Sequence, residues 1–206
     1  MDNGSTDGTP ENVRGSFPWV EVIENGRNLG FPGGNNVGIR ESLSLGAEFV
    51  ILLNNDTVVD KDFARELLQA AGRDKTIGMA TSKIYMYDRP EEIWFAGGDF
   101  STWTGRSRHA GFGEADRGQF DNVAEIGRPC ACSLLVTRGF LEDVGILNED
   151  LFLYGEEIDW ALRARGKGFN ACWPPARESG TSGLPARGGP KAAITCTTAC
   201  GTCCGS

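Results

Sequence analysis

Apolar and polar positions along the chain repeat with two different periods, and the switches between them predict its elements. "WVEVIE" (19–24) alternates as a half-buried strand does, and "EFVILL" (48–53) is apolar almost throughout, as in a strand covered on both faces. Around and between these the period lengthens. Val13 and Phe17 share one face of a short helix that Thr9-Pro10-Glu11 would open, with Thr9 as the N-cap hydroxyl and proline in the first turn. A glycine- and asparagine-rich loop at 25–36 leads into a predicted helix at 36–46. Phe63, Leu67, Leu68 and Ala71 form the stripe of a third helix, capped by Asp60.

The first part of the chain therefore reads helix, strand, helix, strand, helix, which predicts an α/β fold with a parallel sheet. Further strands are predicted at 77–87, 92–98 and 130–137, with an irregular glycine-rich stretch at 104–128. A short helix is predicted to end at Val144, and an amphipathic one to run from about Glu156 to Lys167.

Composition narrows the picture. With 206 residues, 40% hydrophobic and 23% charged, the chain suits one globular domain. From Ser179 onward large apolar residues nearly vanish, so the expected division is a domain at 1–178 and a disordered Gly/Thr/Cys-rich tail at 179–206. Four of the seven cysteines, Cys196, Cys200, Cys203 and Cys204, fall in that tail without the paired spacing of a zinc site. A net charge of -8 argues against a nucleic-acid partner. No apolar run could span a bilayer and no leader segment is visible, so the expected location is cytoplasmic.

Polar clusters carry the chemistry. "LLNNDT" (52–57) ends the predicted buried strand on Asn54, Asn55 and Asp56, at the strand end where open α/β sheets bind ligands. "DNGSTDGT" (2–9) runs straight into a helix start in the same way. Each alone reads as a polar turn; together they favour a shared ligand. Phosphate-loop and dinucleotide fingerprints are both missing. One carboxylate, Asp56, among neutral oxygens suits a hard divalent cation that keeps water and substrate phosphates in its shell. Asn54 and Asn55 both donate and accept, which suits sugar hydroxyls. The combination describes a nucleotide sugar.

"DNGSTDGT", "NLGFPGGNNVGI", "LLNNDT" and "LYGEEIDWALRARGKGF", in this order, resemble the family-2 glycosyltransferases, and within them the rhamnosyltransferase-like branch. The resemblance covers residue 2 to about 175. It implies the three-layer α/β/α GT-A fold of nucleotide-diphospho-sugar transferases, with a mostly parallel central sheet. It also implies an inverting, metal-dependent enzyme that moves a sugar, with rhamnose as one option, onto a glycan or lipid-linked acceptor of the cell envelope. By that resemblance Asp56 holds Mg²⁺ or Mn²⁺, and Asn54 and Asn55 beside it bind the donor nucleotide. Asp2, Asn3, Gly4, Asp7, Asn28, Gly34, Asn35 and Asn36 bind the donor nucleotide. Glu157 matches the family's catalytic base, with Asp159 as the alternative. Asp159 has Arg163 one helical turn on and Glu157 has no such local partner. Trp160 is a candidate acceptor contact. His109 reads as a solvated loop residue, with contact to the acceptor or phosphate as the alternative, and the other tryptophans as packing. A lipid-linked acceptor would add peripheral association with the inner membrane face as an option.

The chain departs from the family pattern at both ends. The family's first βα unit does not precede the Asp2 motif, and "ACWPPAR" is not followed by the family's usual histidine. The expectation is a truncated and frame-shifted product with unpaired edges on strands 19–24 and 48–53. Its alternative function is that of a non-catalytic remnant that binds nucleotide weakly.

Overall fold

The computed structural model describes residues 1–122 and 124–173, and the backbone of 192–197. The helices are α1 (Thr9–Ser16), α2 (Gly30–Ser44), α3 (Phe63–Ala71), α4 (Arg138–Val144) and α5 (Glu156–Arg165). The strands are β1 (Phe49–Asn54), β2 (Ile77–Thr81), β3 (Ile84–Met86), β4 (Arg89–Phe95), β5 (Gly98–Ser101), β6 (Arg106–His109), β7 (Ala124–Ile126), β8 (Ser133–Thr137), β9 (Asn170–Trp173) and β10 (Ala192–Thr197).

A central sheet in the order β10-β1-β8-β2-β9-β7 carries the fold, and β3–β4 and β5–β6 form separate hairpins. β1, β2, β9 and β10 share one direction, while β7 and β8 run against them. Period-two alternation sorts the sheet's side chains between two cores. Val50, Leu52, Met79, Leu134, Val136 and Ala171 face α2, α4 and α5, where Ile39, Phe140 and Trp160 complete the packing. Their neighbours Ile51, Ala80, Leu135 and Cys172 face α3, against Leu67, Ala70 and Ala71. This is the three-layer α/β/α arrangement that the resemblance implies, but the sheet is mixed rather than mostly parallel, since β8 and β7 pair antiparallel with their neighbours and only β1–β10 and β2–β9 are parallel ladders.

Several local expectations need correction. Residues 19–24 do not form a strand. Asp2 pairs with Glu24 in a single parallel bridge, while Trp19 and Val20 lie exposed. Alternation marks a segment able to join a sheet, but a strand also needs a neighbour to complete its hydrogen bonds. α2 begins at Gly30 rather than near residue 36. Pro32 is tolerated there because the first turn of a helix needs no intrahelical N–H donors. α1 is capped by Gly8 rather than Thr9, whose N–H and hydroxyl both donate to Asp7 Oδ1. The stretch 104–128 is less irregular than expected, since it carries β6 and β7.

The edge and tail expectations also change. β1 is flanked on both sides, by β8 and by β10, whose backbone runs parallel to it from Phe49↔Ala192 to Asn54↔Thr197. The disordered-tail reading therefore fails for 192–197. β1 offers an open row of backbone donors and acceptors, and this segment fills it. The remainder of 179–206 lies outside the described residues.

Candidate functional site

β8 runs against β1, so the start of β8 lies beside the carboxyl end of β1. Asn54 N–H donates to Cys132 O at 2.9 Å, and its side-chain amide reaches Cys132 Sγ at 3.6 Å. β2 ends at the same place. Thr81 Oγ1 lies within hydrogen-bond reach of the carbonyls of Cys130 (3.1 Å) and Ser133 (2.9 Å), either of which can accept its proton. Asn54 continues the alternation of Val50 and Leu52 and is buried on the α5 side of the sheet, while Asn55 and Asp56 turn out into solvent.

The Asp2 cluster is a second built feature. Asp2 is buried, and its Oδ2 accepts from the N–H groups of Gly4 and Ser5 at 3.0 Å each. Asn3 donates to Asn28 Oδ1 and Gly30 O, both at 3.0 Å, and accepts from Leu29 N–H at 3.0 Å. Gly34 packs on that amide, since a Cβ there would lie 3.1 Å from the Asn3 side chain. Asp2, Asn3, Gly4, Asn28 and Gly34 thus form one unit, with Asp7 exposed at its edge. Asn35 is buried and donates to Phe31 O. Asn36 is fully buried, donating to Leu147 O and Glu149 Oε1 while accepting from Leu147 N–H. Its amide ties α2 to the segment before α5, so it positions that segment and has no surface for a ligand.

α5 enters through Tyr154 (φ 68) and Gly155 (φ 92), a turn in left-handed backbone. Glu156 and Glu157 begin a buried stripe that continues through Trp160, Ala161 and Ala164. Asp159 lies outside that stripe and pairs with Arg163 at 2.8 Å. Arg163 in turn donates to the carbonyls of Val144 and Ile146, so this pair fastens α5 to the loop after α4. Trp160 is 0% exposed, packed edge-on to Phe140 with its Nε1 donating to Gly145 O. The acceptor role expected for Trp160 is therefore excluded: its ring is core.

Three further participants have no site role in the sequence reading. Arg128 donates to Glu157 Oε1 from Nε at 3.0 Å and from Nη2 at 2.7 Å. His109 is not a solvated loop residue but the half-buried end of β6, its ring edge-on to Trp94 and Phe95 and its Nε2 2.6 Å from Arg128 Nη1. Burial, and then the Arg128 cation, hold its pKa below the usual range. Glu156 is the third. Burial, reinforced by the charge of Glu157, pushes its carboxyl up to about 7, and its Oε2 has no hydrogen-bond partner among the described residues.

Cys132 lies against Asn54 at the end of β1. Its thiol is held protonated, first by a hydrogen bond with Cys130 and by burial, then by the negative charges of Asp56 and Glu157. Among the described residues no three His, Cys, Asp or Glu side chains group closely enough to hold a metal ion by themselves. An exposed carboxylate beside two amides fits a cation that draws its remaining ligands from a bound diphosphate and water.

Residues 1–131 match the family model for glycosyl transferase family 2. The chain belongs to that family. Its relatives include the low-salt glycan biosynthesis hexosyltransferase Agl10 of Haloferax volcanii, 32% identical over 73% of this chain and 48% of the relative. The N-acetylglucosaminyl-diphospho-decaprenol L-rhamnosyltransferase of Mycobacterium tuberculosis is 25% identical over 86% of this chain and 63% of its own length. This family-2 chain thus spans about half to two-thirds of these relatives. Among solved structures, GalNAc-T7 with UDP, GalNAc and Mn²⁺ superimposes with a TM-score of 0.63 at 14% identity, covering 82% of this chain and 34% of that one. The shared architecture is the GT-A fold. Among the described residues, no helix is long and apolar enough to cross a membrane.

Proposed function

We propose that this chain is the GT-A portion of an inverting glycosyltransferase. It would transfer a hexose, rhamnose in the first instance, from a nucleoside-diphosphate donor to a hydroxyl of a glycan or lipid-linked saccharide. The observation that carries this reading is the family-2 match over residues 1–131, beside a β1 end that exposes Asp56 and an α5 start that buries Glu157 against Arg128. The names of the Haloferax and Mycobacterium relatives support the sugar class and the lipid-linked acceptor. A lipid-linked acceptor would also bring the chain to the inner face of the membrane.

In this reading the Asp2–Asn3–Asn28 unit and Asn54 orient the nucleoside and ribose of the donor. Asp56 would hold Mg²⁺ or Mn²⁺, which when bound supplies Lewis-acid stabilisation for the departing diphosphate. Glu157 takes the proton of the acceptor hydroxyl as its oxygen attacks the anomeric carbon. The bond to the diphosphate breaks on the opposite face. No covalent enzyme intermediate is required.

The test is direct. The full chain is incubated with dTDP-rhamnose, N-acetylglucosaminyl-diphospho-decaprenol and Mg²⁺ or Mn²⁺, and the lipid product is read by mass spectrometry. Addition of one deoxyhexose supports the reading. Absence of transfer, together with absence of calorimetric binding of dTDP and UDP, contradicts it.

A further inference from the structure

We propose that Arg128 is the positioning residue for Glu157, clamping Oε1 so that Oε2 is the oxygen presented to the acceptor hydroxyl. This rests on the reading of Glu157 as the base.

Arg128 lies between β7 and β8, and its backbone N–H donates to Gly98 O at 2.8 Å, which fixes its root against the β5–β6 hairpin. Its side chain is 16% exposed and that of Glu157 9%, so the pair is largely withdrawn from water. Nε and Nη2 both donate to the same oxygen, Oε1, at 3.0 and 2.7 Å. A side-on fork would have divided those bonds between the two oxygens. Here Oε1 is occupied twice, and no hydrogen bond among the described residues reaches Oε2.

The other side of the guanidinium is held as well. Nη1 donates to Ser107 Oγ at 2.9 Å and meets His109 Nε2 at 2.6 Å. A neutral imidazole can accept there, and the depressed pKa of His109 keeps it neutral. The orientation of Glu157 is therefore set by a chain from β6 through His109 and Arg128 to the start of α5. A planar guanidinium fixes such a direction; an ammonium point charge does not. The charged groups around this chain are Glu156 on α5, and Asp99, Arg108 and Glu125. The last three line, with His109, a cleft of about 280 Å³.

The test uses the full chain and its single histidine, whose imidazole resonance needs no assignment. Arg128→Gln removes a cation and should raise the midpoint of His109 titration by NMR, whereas Glu157→Gln removes an anion and should lower it. No movement in either variant overturns the proposed chain. Transfer from dTDP-rhamnose to N-acetylglucosaminyl-diphospho-decaprenol provides the second arm. Misdirecting a reacting group costs on the order of a hundredfold in rate. Arg128→Lys and Arg128→Gln should both lose about that factor in kcat with dTDP affinity unchanged by calorimetry. Full activity in Arg128→Lys, or a parallel loss of dTDP affinity and thermal midpoint, overturns the positioning role. If Arg128 variants turn over normally while Glu157→Gln is dead, this inference fails and the assignment of the base stands. If Glu157→Gln is fully active, the assignment of the base itself has failed.

Discussion

The backbone carbonyl of Phe152 accepts from Phe31 N–H at 2.9 Å and occupies the space where a side chain on Gly30 would begin. A Cβ on Gly30 would lie 2.5 Å from that oxygen, and Gly30 has a φ of +74. The contact joins the Asn3–Asn28–Gly30 cluster to the loop that delivers α5, so both halves of the site share one seam. Gly30→Ala should destabilise the fold by more than the roughly 1–3 kcal/mol of a left-handed non-glycine residue alone. Gly8→Ala is the control, because Gly8 has a similar φ of +78 with nothing within 4 Å. Urea denaturation should show the larger loss for Gly30→Ala; equal losses would mean that the seam is loose.

Glu156 predicts an unusual pH dependence of stability. Its folded pKa of about 7 lies above the ordinary 4.5, so the folded chain holds this proton more tightly than the unfolded chain. Its contribution is fully present below pH 4.5 and is lost as pH rises towards and through 7. Glu156→Gln keeps the shape and removes the titration. The variant should match the wild type in acid and exceed it above pH 7, by a few kcal/mol at most, on the order of 1.4 kcal/mol for each pH decade. Parallel stability curves for the two proteins would contradict the buried-carboxyl account.

Lys83 should anchor the segment around Asp116 and Asp121, to which its Nζ donates at 2.8 and 2.9 Å. Burial alone would lower its pKa, but these hydrogen bonds outweigh it and raise the pKa above the ordinary 10.5. Lys83→Met should cost roughly 1.5–3 kcal/mol at neutral pH, as for a hydrogen bond to a charged group. The difference between variant and wild type should shrink as pH rises through the raised pKa of Lys83. A difference that persists unchanged in strong alkali would assign the loss to packing instead.

Much of this was legible in the chain. β1 and α3 follow from apolar spacing, because the two-sided burial of Val50–Leu52 and the stripe ending at Leu67–Ala71 depend only on local period. The Asp159–Arg163 pair followed from helical spacing in the same way. What was not legible depends on distant neighbours. Nothing within "WVEVIE" tells whether a partner strand lies beside it. The start of α2 was hidden because glycine, proline and asparagine read as a loop, yet Gly30 and Gly34 are there to let Phe152 and Asn3 approach. Arg128 and Glu157 stand 29 residues apart, beyond any local rule. Trp160 was misread although the signal was present: it shares a stripe with Ala161 and Ala164, as core residues of a helix do.

The most direct test of the central claim compares Asp56→Asn with Glu157→Gln in the full chain, measuring dTDP affinity by calorimetry with Mn²⁺ and transfer from dTDP-rhamnose. Asp56→Asn should weaken metal-dependent dTDP binding and lose transfer with it. Glu157→Gln should bind dTDP as the wild type does, yet lose on the order of a hundred- to ten-thousand-fold in rate, as expected for a missing positioned base. Normal turnover in Glu157→Gln, or metal-dependent dTDP binding unaffected by Asp56→Asn, would contradict the account.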